Sequence, residues 1–182
     1  MPAIRIEAPA GPVVSVAELR EHLRYEPGDN DATLAALEAS VVSELEGPGG
    51  ALGRVILPQR WREEFAEAGL LRLALPDVTE VILHVIEGAT ATPVAGPAWG
   101  RDARGAWVDL PSLGAYQPGA RWRVDYLCAL PEERLPAARL LVKLRVGALD
   151  MLREGVVVGT LPPGEMPGGA SALIRQLRWR SL

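Results

Sequence analysis

The sequence predicts an α+β fold: a small helical bundle formed by the N- and C-terminal parts, an inserted antiparallel β-sheet region, and a C-terminal extended arm. Three observations carry this. Apolar residues recur at helical spacing in residues 14–50 and again in 131–154. Between them, residues 51–130 change to β-branched runs broken by glycine and proline. Beyond the second helical stretch, residues 155–182 open with "GVVVGTLPPGEMPGG", three valines closed off by glycines and a proline-rich linker. The 182 residues suit a single domain with one insertion.

In order, "VVSVAELREHL" opens a helix, with Ser15 and Glu18 spaced as a capping box. "GDNDATLAALEASVVSELEGPGG" is the second, with Asp29, Asn30 and Asp31 as candidate N-caps. Its stripe is Leu34, Leu37, Val41 and Leu45, and Gly47 and Pro48 end it. "GRVILPQRW" and "VTEVILHVI" read as strands, residues 88–105 as a loose hairpin or loop, and "AWVDL" as a short strand. "RWRVDYLC" alternates strictly. Trp122, Val124, Tyr126 and Cys128 fall on one face and Arg121, Arg123 and Asp125 on the other, the pattern of a half-buried strand. "LPAARLLVKLRVGALDMLRE" is the long helix, with Pro136 in its first turn. Arg139, Lys143, Asp150 and Arg153 mark its polar face; Leu141, Val142, Ala148, Leu149 and Leu152 mark the buried one. "SALIRQLRWRSL" is a terminal helix capped by Ser171.

A net charge of −4 argues against general nucleic-acid binding, which needs a basic surface. A single cysteine, Cys128, leaves no intrachain disulfide and argues against a zinc site. No apolar run reaches the roughly 18 residues of a membrane span. "MPAIRIEAPAGP" lacks the pattern of a signal peptide, so use in the cytoplasm, or in a particle assembled there, is expected.

No motif points to catalysis or to a cofactor. His22 and His84 read as structural histidines, and "GVVVGT" lacks the lysine and spacing of a phosphate loop. Glu63–Glu64 and Glu132–Glu133 read as solvated charge. Two features stand out. Arg145 falls among the apolar positions of the long helix and needs a carboxylate, within the subunit or across a subunit interface. Arg175, Arg178, Trp179 and Arg180 form a cluster that either complements the helix dipole or makes a docking tip.

The ordered set of segments resembles one family. "VSVAELREHLRYEPGDNDATLAALEASVVSELE" is similar to the opening helical pair of tailed-phage head–tail connector (adaptor, or head completion) proteins. "GRVILPQRW" resembles their next strand, and "LPAARLLVKLRVGALDMLREGVVVG" their long helix. The likeness covers both ends of the chain and weakens between about residues 88 and 120. Two departures concern the second helix, which ends at "ELEGPGG" instead of running into an aromatic segment, and the "GALDMLRE" stretch, where the family carries His-Trp-Tyr.

The resemblance implies a structural subunit of a phage or of a phage-like particle such as a gene transfer agent, located at the particle neck. Such a subunit forms a cyclic ring of about twelve copies beneath the portal protein, extends the DNA channel, and docks the stopper or tail. It implies no enzyme activity, cofactor, metal or membrane contact. A different reading is a small ligand-binding domain or enzyme whose pocket, in the β insertion, is lined by Trp99, Trp107, Trp122 and His84. Within the connector reading, Val156, Val157 and Val158 either return as an edge strand or buried loop, or form a segment completed by a partner. In the latter case Arg175, Arg178 and Trp179 join the same contact, and Arg145 serves the subunit interface.

Overall fold

A computed structural model describes residues 2–28, 30–153 and 168–179. The chain divides into two compact units. One comprises Met1–Ala10, Leu57–Leu130 and Trp179–Leu182; the other comprises Gly11–Ile56 and Pro131–Arg178. The fold is α+β, as the alternation of periodicities requires.

In the helical unit, α1 (Val16–Leu23), α2 (Asp31–Leu45), α3 (Leu135–Arg153) and α4 (Gly168–Leu177) share one core. Leu19, Leu34, Val41, Leu45, Ala138, Leu141, Val142, Val146, Ala170 and Leu177 are all buried. The capping box of α1 is complete: the Glu18 amide donates to Ser15 Oγ at 3.3 Å, and Ser15 N donates to Glu18 Oε2 at 3.0 Å. The bonds that Ser15 N and, at 2.8 Å, Ser15 Oγ donate to Glu18 Oε2 hold the Glu18 carboxyl below its ordinary range. Asn30 is the N-cap residue of α2, but with φ 57° its side chain makes no capping bond. Leu37 is only half-buried, and the inward position beside it is Glu38, 6% exposed. Glu38 accepts from the amides of Val13 (2.8 Å) and Val14 (3.3 Å), tying the segment before α1 to α2. Desolvation pushes its carboxyl up despite those two bonds.

Asp150 does not lie on a polar face of α3: it is 4% exposed and accepts from Tyr25 Oη at 2.5 Å. Ala148 and Leu149 are half-buried. The terminal helix begins at Gly168, so Ser171 lies inside it rather than at its cap. Its apolar side packs on α3, where a Cβ at Gly169 would meet Leu144 Cδ1 at 3.9 Å. Residues 168–177 thus belong to the helical core; Val156, Val157, Val158 and Arg180 lie outside the described residues.

"GRVIL" is not a strand. The Ala51 and Leu52 amides donate to the carbonyls of Glu44 and Leu45, Gly47 N donates to Arg54 O, and Ile56 N donates to Glu46 Oε1 at 2.6 Å. The backbone is therefore committed to closing α2, while Leu52, Val55 and Ile56 enter the core by their side chains alone.

In the β unit, β1 (Ile4–Glu7), β2 (Gln59–Phe65), β4 (Val78–Glu87), β5 (Thr90–Val94) and β8 (Arg121–Cys128) form an antiparallel sheet in the order β1-β2-β8-β4-β5. A second sheet, β3-β7-β6, is made by β3 (Gly69–Arg72), β6 (Ala98–Asp102) and β7 (Gly105–Leu110). β1 is an edge strand that the sequence signals only by its Ile-Arg-Ile-Glu alternation. β8 is central, and Trp122, Val124, Tyr126 and Cys128 are wholly buried, as their alternation requires. The opposite face carries cross-strand ion pairs. Arg62 holds Asp125 through two bonds of 2.6 and 2.7 Å, Arg60 reaches Glu80 at 2.9 Å, and Arg123 reaches Glu64 at 3.3 Å.

Glu63 departs from solvated charge. It faces inward, 6% exposed, and its Oε1 accepts from Tyr126 Oη at 2.7 Å and Ala74 N at 2.9 Å. Burial raises its pKa, only partly offset by those bonds. Burial and the neighbouring carboxylate likewise push the Tyr126 hydroxyl far up.

Two tests follow from this packing. Leu141→Ala should cost about 2–5 kcal/mol, as truncation of a fully buried leucine does, and Leu149→Ala clearly less. Equal losses in urea titrations of the two variants would contradict the packing of α3. For Glu63, a folded pKa above the unfolded value means its contribution is fully present below about pH 4.3 and is lost as pH rises through the folded pKa. Glu63→Gln keeps an acceptor oxygen for Tyr126 and Ala74 but cannot ionise. Its stability relative to the parent should therefore improve from pH 4 towards neutrality, and a difference that stays constant with pH would refute the raised pKa.

Candidate docking surface

The residues singled out for docking lie on different elements. Arg175, in the last turn of α4, is exposed. Arg178 follows the helix, is exposed, and donates its amide to Ile174 O at 2.8 Å. Both cations sit where the unsatisfied carbonyls of the helix end favour positive charge. Trp179 is half-buried within the β unit, with its indole against Gly105.

Arg145 has its partner within the chain. Its Nη2 donates to Glu44 Oε2 on α2. The Arg145 side chain is 16% exposed and that of Glu44 55%, so the pair lies at the rim of the α2–α3 seam. Arg145 Nε is shielded and has no hydrogen-bond partner among the described residues. A shielded cation held by one well-solvated carboxylate is modestly stabilising at best.

The four residues proposed to line a pocket do not converge. Trp122 points into the core, donates Nε1 to Pro111 O at 3.0 Å, and meets Tyr116 edge-to-face with centroids 5.5 Å apart. His84 pairs in register with Arg123 and alternates with Leu83 and Val85, so it faces the opposite side of the same sheet. Trp107 pairs with Gly100, and Trp99 pairs with Val108, on opposite faces of the small sheet. A shallow, open depression in the helical unit is lined by Glu18, Glu21, His22, Arg24 and Lys143. It is bridged by the Lys143–Glu18 pair at 3.6 Å. Among the described residues no cluster of His, Cys, Asp and Glu is placed to hold a metal ion.

No protein-family model matches this chain, and no curated protein matches it significantly. Solved structures do. A chain from the neck of an empty gene transfer agent particle, computed with C6 symmetry, aligns with a TM-score of 0.72 at 24% identity, over 100% of this chain and 98% of that one. A chain from the virion of a native gene transfer agent particle aligns with a TM-score of 0.71 at 25% identity and the same coverages. A third, from the neck of a native particle computed with C12 symmetry, gives 0.64 at 21%. The chain therefore has, over its whole length, the fold of chains from the necks and virions of such particles.

The Arg145–Glu44 pair can be weighed by a double-mutant cycle. With Arg145→Ala and Glu44→Ala, the coupling should be about 0.2–1 kcal/mol, as for other pairs with a well-solvated partner. A coupling of several kcal/mol in the isolated chain would mean that the pair is a structural element of the subunit itself.

Proposed function

We propose that the protein is a structural subunit of the neck of a phage-like particle, a head–tail connector that forms a ring beneath the portal, extends the DNA channel and docks the stopper or tail. The observation that carries this is the fold match, which runs the full length of this chain and 98% of chains from particle necks. The C6 and C12 symmetries of those neck assemblies support a closed ring of about twelve copies, in which each subunit offers two different surfaces to its neighbours. The mild net acidity, −4, suits a channel through which DNA slides without sticking.

In this reading the chain docks on the portal through its C-terminal part. Arg175 and Arg178 supply exposed cations there, and the Val156–Val158 run supplies a segment that a partner strand completes. Arg145, at the rim of the helical unit, serves the neighbouring subunit. The protein is assembled in the bacterial cytoplasm and acts in the particle neck without catalysing a reaction.

Electron microscopy of the protein mixed with its portal should show rings stacked on the portal, and native mass spectrometry should count about twelve subunits in each. Arg175→Glu with Arg178→Glu should weaken that stacking at least about tenfold, since charge reversal turns two favourable contacts into repulsions. A monomer that never associates with the portal at any concentration tested would refute the connector reading.

A further inference from the structure

Both glycines of the β6–β7 hairpin lie beneath an indole. A Cβ at Gly100 would fall 2.8 Å from Trp107 Cζ2, so the Trp107 ring lies on the bare backbone of its cross-strand partner. At Gly105 the indole comes from the far end of the chain. A Cβ there would lie 3.3 Å from Trp179 Cζ2, 3.7 Å from Cε2 and 3.8 Å from Nε1. Gly105 also has φ +104°, a conformation that side chains resist. Two independent constraints thus favour glycine at this position, and although it sits at the hairpin's turn, Gly105 is buried.

Side chains of the same sheet brace the seat. Arg72 grips Asp102 through two bonds of 2.7 and 2.8 Å and reaches Gly105 O at 3.4 Å. Asp102 Oδ1 also accepts from Arg104 N at 2.7 Å, closing the turn. The bond to Arg72 holds the Asp102 carboxyl below its ordinary range.

We propose that Trp179 is a latch. Seated on Gly105, it fastens the end of the chain to the β6–β7 hairpin and is withheld from a docking partner, so that engaging Trp179 on the portal requires unseating it. The withholding role rests on the docking reading above; the latch itself rests only on the contact. The affinity of a group sequestered in this way is reduced by the fraction of time it is free. Loosening the seat should therefore strengthen docking, whereas removing the indole should weaken it.

Hydrogen exchange on the full chain tests the contact. Trp179→Ala removes the indole and leaves every residue of the hairpin unchanged. It should speed exchange of the Asp102–Trp107 amides about tenfold or more through more frequent local opening, with β8 unchanged. Unchanged exchange in the hairpin would overturn the latch. Portal titrations test the withholding. Gly105→Ala crowds the indole, and Asp102→Asn loosens the seat without adding a Cβ, which guards against misfolding of the first. Each should bind the portal more tightly than the parent, and Trp179→Ala more weakly. Equal affinity of both loosened variants and the parent would overturn the withholding role. If none of these proteins binds the portal at all, the docking reading fails and the withholding role falls with it, while the exchange difference still decides the contact.

Discussion

The pleat of β8 sets two different problems on its two faces, and the rest of the β unit is arranged around their solutions. On one side Trp122, Val124, Tyr126 and Cys128 have no exposure and need a dry layer above them. On the other, Arg121, Arg123 and Asp125 need partners from neighbouring strands, and β2 supplies Glu64 and Arg62 in register. A slip of one residue would expose the aromatic row and bury the charges without partners. The ion pairs are individually modest, but they discriminate between registers, which hydrophobic burial on a single face leaves open to two-residue shifts.

Buried carboxylates do comparable work where the chain changes direction. Glu38 takes the two amides that lead into α1, Glu63 takes Tyr126 and the amide of Ala74 beyond β3, and Asp150 takes the hydroxyl of Tyr25. In each case a loop or an irregular segment presents a polar group that no helix or sheet ladder could satisfy. The raised pKa values of Glu38 and Glu63 are the electrostatic cost of this arrangement. Such ties stabilise less than apolar contacts of equal area, yet they fix where a segment must lie.

The C-terminal part shows how one short stretch can carry two demands. Leu177 is fully buried in the helical unit, while Arg175 and Arg178 remain exposed. Trp179 lies on the hairpin of the β unit. A terminus anchored by apolar residues holds its exposed cations in place without hiding them. Removing the whole of residues 168–179 would therefore disturb the helical core as well as any docking contact.

The sequence by itself determined the class of fold, the positions of most elements and the buried row of β8, because period 3.6 and period 2 are local properties that survive without a partner. It determined the capping box of α1 for the same reason, as Ser15 and Glu18 are only three residues apart. Only the tertiary structure decided what "GRVIL" does. Its β-branched residues are equally content in a strand or in a core loop, and the carbonyls at the end of α2 claimed the backbone. It also decided the fates of Glu63 and Asp150, whose partners Tyr126 and Tyr25 lie 63 and 125 residues away, beyond any local pattern. The sequence singles out Trp179 as a docking residue but gives no sign of its seat on Gly105. Gly105 looks in sequence like any turn glycine, and only folding brings the two ends of that contact together, where the bare backbone leaves room for an indole.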